Sequence, residues 1–402
     1  MAQVQSRGLA LLSRRVAFVA FAATLVALYL GSGAPTPFLL QWQSEWGFPD
    51  SLLTVAFAAY AFAFLVALLV GGSLSDHLGR KPVIITLLAV SLIPIAMFAF
   101  GPSVEWIIAG RTLAGLTTGA VTAAYTAALV ELATPGSRTG PLIAAAAPVG
   151  GLGLGALLGG VAIELWHQDA DVILFSAIGV ALLIGIVLTV VAPETTTRVP
   201  GALRSLVPQV LVPRPARPFF ARMLPILIAA WATGSLFLGL APTIVHELLG
   251  IQSGLVNGAT ASIHAFGVCI GSVAFGRLAV PTALRLGGLG LAVGVSLVVV
   301  GVATGQITFV VIGGVIEGLS FGAAFGGIFR GLAPLAPDHE RAGTFASVYV
   351  VAYISLGVPA VIAGQLIAPL GLLPVILGWG LLIVLLAAAG VVIQLRRPRA
   401  LA

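Results

Sequence analysis

Long apolar segments alternate with short polar or Pro/Gly-rich breaks along the whole chain. Most of these segments hold about 20 residues, which is enough for a helix to cross roughly 30 Å of hydrocarbon. The pattern predicts an all-α membrane protein with twelve transmembrane helices, at 16–40, 51–75, 82–101, 105–131, 141–165, 171–192, 219–245, 254–277, 285–304, 307–331, 342–367 and 371–395.

Composition supports the membrane assignment. The 402 residues are 59% hydrophobic and only 8% charged, whereas a soluble fold of this size needs more charge to cover its surface. The first span is too long for the apolar core of a signal peptide, so we expect it to be retained. The single cysteine, Cys269, excludes an intrachain disulfide and a thiolate metal cluster.

The basic residues are distributed on one side of the predicted membrane. Of the 19 lysines and arginines, only Arg111 lies well inside a span, away from its ends. All the others, from Arg7, Arg14 and Arg15 through Arg138 to Arg396, Arg397 and Arg399, fall in segments on the same side, whereas the opposite loops carry carboxylates. The positive-inside rule then places both termini in the cytoplasm. We expect contact with lipid headgroups and no binding of nucleic acid.

The longest polar stretch, 194–218, is rich in proline and arginine. It is expected to be a solvated cytoplasmic linker without chemistry of its own. It divides the chain into two predicted six-helix bundles, at 1–193 and 219–402.

The two halves resemble each other in sequence. A shift of 203 residues aligns Gly115 and Gly119 in the fourth span with Gly318 and Gly322 in the tenth. A shift of 207 aligns "APT" at 34–36 with "APT" at 241–243. Internal repetition of six spans is typical of transporters, whose substrate site lies at mid-membrane between the halves.

The stretch "GGSLSDHLGRKP" (71–82) concentrates charge between the second and third spans. It resembles the loop motif of the major facilitator superfamily, with matches at Gly72, Leu74, Asp76, Gly79, Arg80 and Lys81. "RTLAGLTTG" (111–119) resembles the family's fourth-helix motif, and "PET" (193–195) its usual end of the sixth helix. "GLGLGALLGG" (151–160) resembles the fifth-helix motif of the drug/proton antiporter branch, with Ala156 where proline is usual.

The resemblance implies a gating role for Gly72, Asp76, Gly79, Arg80 and Lys81. In related transporters this Asp pairs with basic groups and a helix N-terminus across the two halves when the protein faces outward. The alternative is a tight turn whose charges only anchor the topology. The corresponding loop of the second half has Val280 in place of the acid. We therefore expect that only the loop of the first half can form this pairing.

Two charged residues lie well inside spans, away from the ends, where charge is costly and usually functional. Arg111 is a candidate for proton relay, for binding an anionic or polar substrate, or for bonding backbone carbonyls of a broken first helix. Glu317 is the only acid well within a span, and is a candidate for carrying a proton, binding a cation or a structural role. His264 is a further candidate for lining the substrate cavity that is expected between the two halves.

Glycines recur every four residues on single helix faces, which favours close helix packing. The positions concerned are Gly115, Gly119, Gly151, Gly155, Gly159, Gly318 and Gly322. Enzyme signatures are absent: "HELLG" (246–250) lacks the second histidine of a zinc protease, and there is no Walker A motif, so ATP is not expected as the energy source.

Together these features predict a secondary transporter that works by alternating access in the inner membrane. The preferred activity is proton-coupled export of a small amphipathic molecule by a monomer that needs no cofactor besides the proton gradient. The alternatives are a facilitator or importer of a sugar, organic acid or other metabolite and, in a different class, a membrane-embedded enzyme or receptor.

Overall fold

A computed structural model describes residues 11–137 and 139–396. The sequence predicts the side of the membrane for both termini and for four arginines that lie outside the described residues. These arginines are Arg7, Arg138, Arg397 and Arg399. Within the described ranges the chain is helical and contains no strand. Eleven segments are long and apolar enough to span a membrane, and one of them, of 53 residues, consists of two helices joined by a short turn.

Twelve long helices result. They are α1 (Arg14–Trp46), α2 (Asp50–Gly71), α3 (Arg80–Phe100), α4 (Val104–Leu132), α5 (Thr139–Trp166), α6 (Ala170–Val191), α7 (Arg217–Leu248), α8 (Gly254–Ala274), α9 (Val280–Thr304), α10 (Ile307–Leu332), α11 (Arg341–Leu370) and α12 (Leu372–Leu395). Consecutive helices are joined by short connections, except α6 and α7, which residues 192–216 join, and each helix runs antiparallel to the one before it. The end of the bundle that carries Arg80 and residues 192–216 is termed the linker end, and the opposite end the far end.

The first and seventh helices are interrupted at the same place. In α1 the break lies at Ala34, between Arg14–Gly33 and Pro35–Trp46. In α7, Ala241–Thr243 is flanked by two π-helical segments, Leu236–Leu240 and Ile244–Leu248. Proline follows the alanine in both and lacks the N–H that continues a helix. The two "APT" triplets therefore mark equivalent distortions in the two halves.

Each half has its own apolar core, one built from residues between Ala17 and Ala192 and the other from residues between Ala216 and Ala387. Two helix pairs form most of the contact between the halves, α5 with α8 and α2 with α11. Glycines permit the first crossing, because a Cβ at Gly160 would lie 2.3 Å from the carbonyl oxygen of Gly254.

The segment between α6 and α7 contacts both halves. Val199 donates to the carbonyl of Asp76 at 3.2 Å, and the hydroxyl of Ser73 donates to the carbonyl of Ser205 at 3.2 Å. Further on, Leu211 donates to the carbonyl of Gly343 at the start of α11, at 3.3 Å. At these positions three backbone groups of the segment bond to helix ends of the two halves. That the segment is a solvated linker without chemistry of its own stays a prediction.

Candidate functional site

A buried acid–imidazole pair lies inside the second half. His264 on α8 places Nδ1 2.9 Å and 3.0 Å from the two carboxylate oxygens of Glu317 on α10. Glu317 is 0% and His264 5% exposed. The sequence singles out both residues separately, and the structure brings them together. Such a pair can hold and exchange a proton away from water.

Aromatic rings and glycines shape the surroundings of this pair. The ring of Phe237 stacks on the imidazole of His264 at 5.8 Å, and Phe321 meets it edge-on at 5.3 Å. Phe237 belongs to a π-helical segment of α7, a distortion often found at functional sites. On α10, a Cβ at Gly318 would lie 2.7 Å from the carbonyl of His264. This close approach is what brings α8 near enough for the pair to form.

Arg111 lies buried in the first half, at 2% exposure. Its Nη1 donates to the carbonyl of Ser32 at 2.6 Å and its Nε to that of Ala56 at 3.3 Å, and its guanidinium lies 4.7 Å above the ring of Tyr60. Ser32 lies two residues before the break in α1 at Ala34. Of the three roles considered for Arg111, bonding to carbonyls of the broken first helix matches these contacts. Among the described residues it forms no ion pair.

A series of aromatic side chains connects Arg111 to the Glu317–His264 pair. This aromatic series consists of Tyr60, Phe64, Tyr353, Trp231 and Phe321, with neighbouring ring centroids 4.8–6.0 Å apart. It crosses from the first half to the second where Phe64 stacks on Tyr353 at 4.8 Å. The centre of the molecule is therefore largely apolar and aromatic, with a cation at one side and an acid–imidazole pair at the other.

The charged loop at the linker end forms a network inside the first half. Asp76, on the short helix Leu74–Leu78, pairs with Arg80, whose Nη2 lies 3.1 Å from a carboxylate oxygen of Glu131 on α4. The hydroxyl of Ser75 accepts from Nη1 of Arg80 at 2.6 Å. The side-chain contacts seen for Asp76 thus stay within its own half, whereas the resemblance implied a contact across the halves.

Glu194 caps the first turn of α3. Its carboxylate accepts from the backbone N–H of Arg80 at 3.1 Å and of Lys81 at 3.2 Å. An anion is stabilised at a helix N-terminus by the free N–H groups and the helix dipole. Gly79, with φ 102° and ψ 147°, lets the chain turn under this carboxylate, because a Cβ there would lie 2.9 Å from its oxygen. Gly72 also lies close to backbone, because a Cβ there would lie 2.8 Å from the carbonyl oxygen of Leu68.

Gly79→Ala is expected to destabilise the loop and lower the melting temperature of the purified protein. The backbone conformation at Gly79 is nearly exclusive to glycine and costs other residues about 1–3 kcal/mol, to which the clash with Glu194 adds. Gly136→Ala is the matched control, since Gly136 also has a positive φ but has no atom within 4 Å of its Cβ position. Equal melting temperatures for the two variants in thermal unfolding would contradict the prediction.

A carboxylate does reach a helix N-terminus of the other half, but at the far end. Glu164 on α5 accepts from the hydroxyl of Ser253 at 3.0 Å and from the N–H of Leu255 at 3.2 Å, where α8 begins. In the sequence Glu164 stands out only as a loop charge on the side without basic residues. In the structure its hydrogen bonds link α5 of the first half to the start of α8 in the second half.

Glu164→Gln is expected to shift the protein toward opening at the far end, because the neutral amide binds the helix N-terminus less well. Spin labels at Ser44 and Gln306, both exposed at the far end of opposite halves, in a Cys269→Ala background, report this as a larger long-distance population. The control is Glu105→Gln, because the Glu105 carboxylate bonds Ser103 of its own half. Identical distance distributions in the two variants would rule out a fastening role.

The glycines that the sequence predicts to allow close helix packing do lie at helix crossings. Gly115 and Gly119 on α4 face the backbone of α2, each with a virtual Cβ 2.4 Å from a carbonyl oxygen, and Gly322 on α10 faces α8 in the same way. Gly151, Gly155 and Gly159 on α5 face α1. The fourth and tenth helices thus pack on the second and eighth in corresponding fashion, as expected of a repeat.

The described part of the chain contains no group of three or more His, Cys, Asp or Glu side chains arranged to hold a metal ion.

Comparison with known proteins gives the family. The model of the Major Facilitator Superfamily matches residues 20–357, whereas no curated protein sequence matches. A bacterial homologue of the human lysosomal transporter Spinster, inward-facing and occupied, has a similar structure at 14% identity, with a TM-score of 0.75 over 96% of this chain and 97% of that one.

A POT family transporter in complex with 5-aminolevulinic acid is similar at 12% identity, with a TM-score of 0.73 over 93% of this chain and 95% of that one. At these identities the likeness shows the fold. With the family match over most of its length, the chain is an integral membrane transporter and belongs to the Major Facilitator Superfamily.

Proposed function

We propose that the protein exports a small amphipathic molecule in exchange for protons, by alternating access of the two halves. The observation that carries this proposal is the buried Glu317–His264 pair, with its nitrogen–oxygen distances of 2.9 Å and 3.0 Å. An unneutralised carboxylate inside a membrane is costly, so binding or losing a proton there changes the energies of the two conformations. The resemblance of "GLGLGALLGG" to the antiporter motif supports the direction of transport.

The aromatic series supports an amphipathic substrate. Rings of both halves meet between Arg111 and Glu317, so a bound molecule would find apolar faces together with a few polar groups, as is usual in small-molecule sites. Apolar parts of the substrate would pack on Phe64, Tyr353 and Trp231. The proposed partners are this substrate and membrane lipid, with no nucleic acid, and the proposed working unit is a monomer without a cofactor.

We place the linker end in the cytoplasm of a cell with an inner membrane. The far end carries carboxylates such as Glu45, Glu164 and Asp171 and no lysine or arginine, whereas the basic residues gather at the linker end. This asymmetry is the one that the positive-inside rule describes. The gate at that end would involve Asp76, whose half-exposed carboxylate is available to the second half when the linker end closes.

The test is a ligand-stabilisation screen on the purified protein at two pH values, followed by transport in vesicles with an imposed pH gradient. A ligand that binds only the folded state raises the melting temperature by an amount that grows with the logarithm of one plus the ratio of the free ligand concentration to Kd. The proposal requires a hit whose affinity changes with pH and whose movement is driven by an opposed proton gradient. Movement that only equalises concentrations at every pH would instead identify a facilitator, and turnover of a membrane substrate without transport would identify an enzyme.

A further inference from the structure

A cleft of about 360 Å³ opens between the two halves at the far end. Helices of both halves form its walls, α1 and α5 from the first and α7 and α8 from the second. Leu40 and Ile163 contribute an apolar wall. The polar side chains that line it include Gln41, Glu247 and Asn257. The cleft is separate from the Glu317–His264 pair, none of whose residues lines it.

Two amide oxygens at this cleft have no hydrogen-bond partner among the described residues. Asn257 is 7% exposed, and its buried Oδ1 is unpaired. The buried Oε1 of Gln41 is also unpaired. The orientation of the Gln41 amide follows from its contacts, because its Nε2 donates to a carboxylate oxygen of Glu45 at 2.8 Å and to the carbonyl of His167 at 3.3 Å. Both free atoms are carboxamide oxygens, which accept hydrogen bonds, and a buried acceptor without a donor is destabilising.

The charge around the cleft is negative. The carboxylate of Glu247 is exposed at its edge. The other carboxylates of the far end are Glu45, Asp50, Glu105, Glu164, Asp169 and Asp171, and no lysine or arginine lies in the loops there. The neighbouring His246 is engaged by the Oε1 of Gln252 at 2.7 Å. A surface of one charge sign attracts ligands of the other sign.

We propose that this cleft is a binding site for an organic cation that carries an ammonium or guanidinium group. Such groups are pure donors, so they match two unpaired acceptors and a carboxylate. The apolar part of the cation packs on Leu40 and Ile163. Because Gln41 belongs to the first half and Asn257 to the second, the bound cation contacts both halves at once. The site lies outside the proposed coupling centre and does not depend on proton exchange there.

The test is isothermal titration of the purified full-length protein with phenethylammonium chloride, at constant ionic strength. The neutral 2-phenylethanol, of similar shape, is titrated in parallel. Saturable binding of the cation is expected, with the alcohol at least about tenfold weaker, since a hydrogen bond between charged groups is lost. Glu247→Gln should weaken cation binding by about tenfold for the same reason, and Asn257→Leu should weaken it by a similar factor because it removes an acceptor for the charged donor.

Two further variants distinguish binding in this cleft from a general attraction to the negative surface and from binding at the buried pair. Glu105→Gln removes the same charge from the far end without touching the cleft, and should bind phenethylammonium as the unaltered protein does. Glu317→Gln should also bind it normally, which keeps the result independent of the proposed proton coupling. Glu247 is exposed, so its variant remains informative if Asn257→Leu fails to fold. Absence of saturable binding, equal binding of the alcohol, or equal affinity of Glu247→Gln and Glu105→Gln would overturn the proposal.

Discussion

Replacement of Glu317 by glutamine should reduce proton-driven transport to the background of protein-free vesicles, while the protein still folds. The glutamine amide has the size of the carboxyl group and can still bond Nδ1 of His264 across the 2.9 Å that separates the two side chains. It cannot bind or release a proton in the physiological range, so it removes the chemical event on which coupling depends. The measurement is substrate movement in vesicles with an imposed pH gradient.

Substrate exchange without a gradient provides the internal control. If Glu317 carries only the coupling proton, exchange of labelled for unlabelled substrate should persist in the glutamine variant, since this process needs no net proton transfer. Glu105→Gln, which changes a carboxyl group at the far end, should retain both activities. A Glu317→Gln protein whose transport keeps its normal proton dependence would remove Glu317 from the coupling mechanism.

Replacement of Gly155 by alanine should strongly destabilise the first half, by about 3 kcal/mol or more. A Cβ at this position would lie 2.2 Å from the carbonyl oxygen of Leu30 and 2.7 Å from the nitrogen of Ala34. Both are backbone atoms of α1, so no side-chain rotation relieves the contact, and α1 and α5 must separate. This strain falls at the break in α1, next to Ser32, whose carbonyl accepts from Arg111. Thermal unfolding in detergent and the monodisperse yield measure the loss.

Gly150 supplies a matched control on the same helix. The nearest atom to its virtual Cβ is Sγ of Cys269 at 3.6 Å, an ordinary van der Waals distance. Gly150→Ala should therefore behave like the unaltered protein, and it changes helix propensity by the same amount as Gly155→Ala. If both variants melt at the same temperature, the close crossing of α1 and α5 is not needed for stability.

The sequence predicts the existence of the spans better than their ends. The hydropathy pattern predicts the first span at 16–40, yet α1 continues to Trp46. The hydropathy signal stops because Gln41, Gln43 and Glu45 are polar, whereas helical hydrogen bonding continues past the apolar layer. Glycine spacing, by contrast, predicts real crossings, because only a residue without Cβ lets the backbones of α4 and α2 approach at Gly115 and Gly119.

The sequence singles out the residues of the candidate site one by one, but it does not predict which of them lie next to each other. Glu317 and His264 stand out because charged and polar groups are rare in these spans, but they are 53 positions apart and lie on different helices. The sequence pattern therefore does not show which faces meet. Sequence reasoning missed Glu131 and Glu194 as partners of the Arg80 loop, although "PET" places an acid at the end of α6 on the same side as that loop.

The contacts of the segment between the halves limit how far the linker end can open. Ser205 is held at Ser73 of the first half and Leu211 at Gly343 of the second. A chain that runs from Ser205 to Leu211 reaches about 20 Å when fully extended, at about 3.4 Å per residue. While both contacts persist, the length of this segment limits how far Ser73 and Gly343 can move apart at the linker end. A wider opening requires one of the two hydrogen bonds to break first.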